Sequence, residues 1–212
     1  MTHVALDISI SVDGYVAGPN PSLEQPLGAG GEQLHDWITR LAAWRSRHGR
    51  DGGDTGPEND YLEELLAPVS AYVMGRRMFS GGQGPWNDDP NADGWWGDEP
   101  PFHAPVFVLT NHARELDERG GTTFTFVTEG IEAALEQAKA AAGDGSVRVA
   151  GGASVAQQAL RAGLLDVMHL HVVPVLLGGG VSLFGELGRE VKLELGRVLS
   201  SSAVTHMTYA RA

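Results

Sequence analysis

The chain has no cysteine in its 212 residues, which excludes disulfides and thiolate metal sites and suits a reducing compartment. Basic residues are scarce. The 15 Lys and Arg stand against 27 Asp and Glu, a formal charge of -12, and the lysines are Lys139 and Lys192 alone. A field of that sign repels nucleic acid and anionic membranes, so neither is expected as a partner, and an anionic ligand has to be met by local donors. No run approaches the roughly 18 apolar residues of a membrane span, and no basic segment followed by an apolar one opens the chain; a soluble cytoplasmic protein is expected. A Rossmann fingerprint is disfavoured, because there is no G-x-G-x-x-G with an acid about 20 residues on. There is no hydrolase-type G-x-S-x-G either. The acids Asp88, Asp89, Asp93, Asp98 and Glu99 lack the spacing of a calcium loop and read as solvated.

What is present centres on VRVAGGASVAQQAL, residues 147–160. It reads as a buried strand (Val147 to Ala150), a double glycine (Gly151, Gly152) and a helix with Ser154 in its first turn. A helix N-terminus offers unpaired N–H groups and the positive end of the macrodipole. Glycines in front of it remove the Cβ atoms that would hold a phosphate away. That arrangement suits the pyrophosphate of a dinucleotide; a tight turn without a ligand is the alternative.

Apolar residues make up 42% of the chain, enough for the core of one domain over 1–212. Alternation or β-rich runs predict strands at 3–12, 71–74, 106–110, 123–128, 147–150 and 166–178, with two antiparallel strands at the end joined near Ser200 to Ser202. Helical spacing of Leu34, Trp37, Ile38, Leu41 and Trp44 predicts one amphipathic helix from Glu32 to Trp44. Further helices are expected around Tyr61 to Leu66, from Glu129 to Ala142 and over 153–162. Residues 45–57 and 80–105 read as loops. Strands alternating with helices and ending in a hairpin argue for an α/β fold with a mostly parallel sheet and an antiparallel edge, whose ligands sit at the carboxyl ends of the strands.

Four segments fall at such ends: SVDGYVAG (11–18), VMGRRMF (73–79), VLTN (108–111) and VAGGASV (149–155). With PVLLGGGVSLF (174–184) they resemble, in order and spacing, the dihydrofolate reductase-like superfamily. Within it the chain is most similar to the C-terminal reductase domain of the bifunctional riboflavin-biosynthesis deaminase-reductase and its stand-alone relatives. The resemblance implies a three-layer fold with a mostly parallel central sheet, an antiparallel C-terminal hairpin and flanking helices. It also implies NADPH as cofactor, a homodimer, and a small-molecule substrate. Gly75 and Arg76 match a Gly-Arg whose arginine faces the 2′-phosphate; a surface arginine is the alternative. Arg77 and Met78 would line the same helix start beside the pyrophosphate, and Thr110 and Asn111 the adenosine end. Gly151, Gly152, Ala153, Ser154 and Val155 match the Gly-Gly turn, while Gly178 and Gly179 match the glycine turn of the riboflavin-type branch. Asp13, before Gly14, matches an acid near nicotinamide and substrate, although Asp-Gly is also a common turn pair.

Reduction needs a proton as well as a hydride. In dihydrofolate reductases a carboxylate on the first helix serves, a few residues before a tryptophan; aligning on Trp37 puts Leu34 there. Folate reduction is therefore the runner-up, with Asp36 a substitute proton donor or else a solvated helix acid. The leading expectation is an NADPH-dependent reductase of a small heterocyclic or carbonyl-like compound, of the type that reduces 5-amino-6-(5-phosphoribosylamino)uracil. The other alternative is a non-catalytic nucleotide-binding relative. Trp95, Trp96, Phe102 and His103 in the long loop could form a lid or meet a partner subunit. His169 and His171 share one strand face and read as hydrogen-bonded core histidines, with metal binding the lesser alternative; no metal is expected.

Overall fold

The computed structural model describes residues 2–185 and 187–212. A nine-stranded sheet forms its centre, in the order β10-β11-β8-β1-β7-β3-β4-β6-β5. The strands are β1 (Val4–Ser11), β3 (Val69–Gly75), β4 (Pro105–Leu109), β5 (Asp117–Arg119), β6 (Thr122–Val127), β7 (Ser146–Gly151), β8 (Val167–Val173), β10 (Leu193–Ser200) and β11 (Thr205–Arg211). Strands β8, β1, β7, β3, β4 and β6 run parallel. The hairpin β10-β11 and the short β5 close the two edges antiparallel. A two-stranded pair, β2 (Tyr15–Ala17) with β9 (Val181–Ser182), stands apart. This is the α/β arrangement expected from the sequence, a mostly parallel sheet with an antiparallel C-terminal hairpin.

Period-two alternation decides which layer each strand residue joins. Val4, Leu6, Ile10, Val73, Val149 and Leu170 lie on the face packed by α5 (Ile131–Ala142) and α6 (Ala153–Ala162). The opposite face holds two smaller clusters. One gathers Leu34, Trp37, Leu41 and Leu62, and the other Tyr72, Met74, Phe79 and Phe124. Burying each of the large side chains stabilises the fold by about 2 kcal/mol. On this second face β1 presents Asp7, Ser9 and Ser11, and the two serines are buried. The polar half of its alternation therefore faces the interior.

Two expectations are corrected. The helix from Glu32 to Trp44 is broken into a 3-10 turn (Gly31–His35), α1 (Asp36–Thr39) and α2 (Ala42–Arg47). Leu41 is extended between them, at φ -74° and ψ 142°, because its neighbours pair with a returning segment. Ala42 N–H donates to Asp54 O at 2.9 Å, and Asp54 N–H to Arg40 O at 2.8 Å. Leu34, Trp37 and Leu41 stay buried together across the kink, so their spacing reports one buried face and not one continuous helix. The run 166–178 stops as a strand at Val173, where Pro174 cannot donate to a ladder. In the 80–105 segment most of the aromatics pack inward. Trp96 and Phe102 pack onto the second cluster, with Phe102 edge-on to Tyr72 at 5.1 Å, and His103 Nδ1 lies 2.9 Å from Gly120 O. Trp95 stays 38% exposed.

Candidate functional site

At the carboxyl ends of β3, β4, β6 and β7 lies a cleft of about 350 Å³, within the range of small-ligand sites. Gly75, Arg76, Arg77, Thr110, Asn111, Gly152, Ala153, Ser154 and Val155 border it, nine positions that the sequence motifs single out. The same wall includes Leu109 and Val181, which fall inside the motif segments, and Gln83, Thr128, Gly130 and Gln158, which the motifs miss. Thr128 and Gly130 follow the end of β6, so the strand-end rule that found the other loops extends to them. Gln158 lies one turn beyond Ser154 and donates to its Oγ at 3.2 Å.

Two helices aim their N-termini at this cleft. Gly130 is the N-cap of α5 and Gly152 that of α6, and neither helix start has a side-chain cap. The start of α6 carries no acid, and its dipole and the amides before Val155 face a ligand, whereas Val155 N–H donates to Gly152 O at 3.1 Å and α5 has Glu132 in its first turn. Gly151 has φ +125°, open to glycine and costly for other residues. A Cβ on Gly75 would approach Val155 Cγ2 to 3.0 Å, so this glycine lets the β3 end pack against α6. No carboxylate lines the cleft among the described residues, in a chain of net charge -12.

Arg76 borders the cleft without offering its charge to it. The side chain is 7% exposed and pairs with Asp89 at 2.5 Å, and Asp89 is 2% exposed. The guanidinium carbon sits 3.5 Å from the Trp86 ring centroid. Burial raises the pKa of Asp89, but donation from Asn91 N–H (2.9 Å), Ser80 Oγ (2.8 Å) and Arg76 outweighs it, and the carboxyl is held below its usual range. The partner of Arg76 is thus a carboxylate of its own chain, while its Nε and Nη1 are buried without a hydrogen-bond partner.

Met78, Gly151, Gly178 and Gly179 are not among the residues lining the cleft. Gly178 belongs to the turn that Asp13 organises. Asp13 accepts from Ser11 Oγ at 2.6 Å, from Gly178 N–H at 2.7 Å and from Leu177 N–H at 3.1 Å. The Ser11 hydroxyl and these amides hold its pKa below the ordinary value. An ionised carboxylate with its lone pairs engaged is an acceptor, and Asp13 in this role ties the 174–180 turn. Asp36 is exposed beside the buried Trp37, a solvated helix acid, and is not brought to the cleft. Leu34, in the place of the dihydrofolate reductase acid, is fully buried in an apolar cluster.

Beneath α1 and α3 (Pro57–Leu66) runs a polar chain that crosses the sheet. Arg148 Nη1 meets Asp7 Oδ2 at 3.2 Å, and Asp7 Oδ1 lies 3.0 Å from His171 Nε2. His171 Nδ1 is 2.8 Å from His206 Nδ1, and His206 Nε2 lies 3.6 Å from Glu58. Trp37 Nε1 donates to Ser9 Oγ at 3.0 Å beside them. Burial pushes the pKa values of His169 and His206 down to about 4. For Asp7 burial works upward, yet Arg148 and then His171 prevail and hold the carboxyl well below its usual range. His169 Nδ1 pairs with Thr208 Oγ1 at 3.1 Å, so His169 and His171 are the hydrogen-bonded strand histidines that the sequence suggested.

Fold and cleft together define an α/β protein with a mostly parallel sheet and a ligand-sized cleft at the carboxyl ends of its strands. Within that class the chain belongs to the RibD C-terminal domain family, whose profile matches residues 2–207. It is similar to the uncharacterized protein YyaP of Bacillus subtilis (strain 168), 23% identical over 211 residues that cover 98% of this chain and 94% of YyaP. The uncharacterized protein YwjB of the same organism is 33% identical over 88 residues, 42% of this chain and 50% of YwjB, so that match spans about half of the relative's length. A protein of Shewanella sp. PV-4 assigned to riboflavin biosynthesis has a similar structure, with TM-score 0.64, 24% identity and coverage of 100% and 99%. So has the diaminohydroxyphosphoribosylaminopyrimidine deaminase/5-amino-6-(5-phosphoribosylamino)uracil reductase of Thermotoga maritima, with TM-score 0.57, 16% identity and coverage of 100% of this chain and 57% of that one. At these identities the likeness of the solved structures is one of fold.

Proposed function

We propose that the chain, acting as one domain over 1–212, is an NADPH-dependent reductase of a small heterocyclic or carbonyl-like compound. The observation that carries this reading is the pair of helix N-termini without side-chain caps, opening on a cleft with no carboxylate lining it among the described residues. Such a wall is suited to an anionic diphosphate and lacks the ribose-binding acid expected of an NADH site. The amides following Gly152 would hold the diphosphate, Thr110 and Asn111 would border the adenosine side, and Gly75 would keep the end of β3 packed against α6 beside the ligand. The bound cofactor supplies the hydride. With Asp13 engaged as an acceptor and Leu34 apolar, the proton is taken from solvent at the open cleft.

The fully buried Leu34 disfavours folate reduction, since no acid stands there to bind a pterin. The substrate class of the Thermotoga relative, 5-amino-6-(5-phosphoribosylamino)uracil, is carried to this chain as part of the proposal. So is assembly as a homodimer in the cytoplasm. Among the described residues no helix is long and apolar enough to cross a membrane. The edge strand β10 supports the dimer, with Leu193, Leu195 and Val198 at 40, 60 and 50% exposure. The test is calorimetric titration with NADPH, then loss of reduced-nicotinamide absorbance on adding the phosphoribosylamino uracil, dihydrofolate or simple carbonyls. Binding with turnover of any non-folate substrate supports the reading. Binding without turnover of any of them leaves the non-catalytic nucleotide binder, and no binding overturns both.

A further inference from the structure

We infer that Arg77, and not Arg76, is the residue that distinguishes NADPH from NADH in this chain. The inference rests on the cofactor reading above and adds which side chain reads the 2′-phosphate.

Two arginines follow Gly75, and both border the cleft. Arg76 already has a charge partner inside the protein. Its Nη2 is bonded to Asp89, its Nε and Nη1 are buried, and its guanidinium lies on the Trp86 ring. A phosphate that drew Arg76 out would leave Asp89 as a buried carboxylate stripped of its cation, and breaking a buried pair in this way is strongly unfavourable.

Arg77 is exposed. In the amide orientation that satisfies both groups, the Gln83 oxygen accepts from Nε and Nη2 of Arg77. A neutral amide steadies a guanidinium without cancelling its charge, and a phosphate is a far stronger acceptor than an amide oxygen. Arg77 therefore keeps a full positive charge on a wall that carries no carboxylate among the described residues, next to the end of β3. The division of labour is that Arg76 with Asp89 and Trp86 builds the wall, and Arg77 with Gln83 reads the phosphate.

Titration calorimetry of wild type, Arg77→Gln and Arg76→Met with NADPH and NADH separates the roles without any turnover assay. Arg77→Gln is expected to weaken NADPH by about 10- to 100-fold, the range of one lost charge-assisted interaction, and to leave NADH unchanged. Arg76→Met is expected to lower the melting temperature while the NADPH-to-NADH affinity ratio stays that of wild type. If Arg76→Met does not fold, Arg77→Gln decides alone. The inference is overturned if Arg77→Gln weakens both cofactors equally or neither, or if Arg76→Met removes the preference for NADPH. Wild type binding both cofactors with equal affinity would overturn the inference while dinucleotide binding stands. Wild type binding neither would overturn the cofactor reading itself.

Discussion

Ser154→Asp should make the protein more stable and its cofactor binding worse. Ser154 is exposed at the second position of α6, whose first turn has no acid and no side-chain cap. A carboxylate there meets the positive end of the helix, a gain of about 0.5 kcal/mol. In a chain of this size that raises the melting temperature by roughly 1–2 °C. The same carboxylate would stand where the diphosphate is held. At a separation of about 5 Å and an effective dielectric constant of about 20–40, the repulsion is about 2–3 kcal/mol. Binding should weaken by about 10- to 200-fold. Thermal unfolding followed by circular dichroism reads the first effect, and calorimetric titration with NADPH reads the second. Ser154→Asn, similar in size and uncharged, should leave affinity near that of wild type. A stabilised Ser154→Asp protein that binds NADPH as tightly as wild type would refute the placement of the diphosphate at α6.

Asp89→Asn should lower stability by about 3 kcal/mol in urea denaturation, because it leaves the buried Arg76 charge without its counterion; a loss below about 1 kcal/mol would contradict the structural role given to that pair. Stability should also decline as the pH falls from 6.5 towards 4. The unfolded chain protonates its histidines near 6.5, whereas His169 and His206 in the fold resist until about 4, so the unfolded state binds more protons in that window. A urea midpoint that stays flat across this window would contradict burial of neutral imidazoles. Leu195→Lys, on the exposed face of β10, should convert a dimer to monomers in light scattering, and a wild-type protein that is monomeric at high concentration would contradict the dimer.

The strands were legible because period-two apolar patterning is local, and their carboxyl ends marked most of the cleft. The Gly-Gly turn into α6 was legible for the same reason, being short and set by two residues without Cβ atoms. What escaped the sequence is set by partners distant along the chain. The break at Leu41 comes from pairing with Asp54, which helical periodicity does not contain. The fate of Arg76 depends on Asp89, 13 residues on, and on Trp86 folding over its guanidinium. Asp13 looked like an acid near the reaction, but its acceptor role depends on amides of the 174–180 turn, 164 and 165 residues away. The buried chain from Arg148 to Glu58 likewise draws on β7, β1, β8, β11 and α3, with each residue unremarkable alone.

The most direct measurement is a crystal structure of the protein grown with NADPH. Density for the diphosphate against the backbone amides of Gly152 to Ser154, with the adenosine towards Thr110 and Asn111, is the expected result. A well-ordered cofactor bound elsewhere, with those amides facing only solvent, would contradict the account.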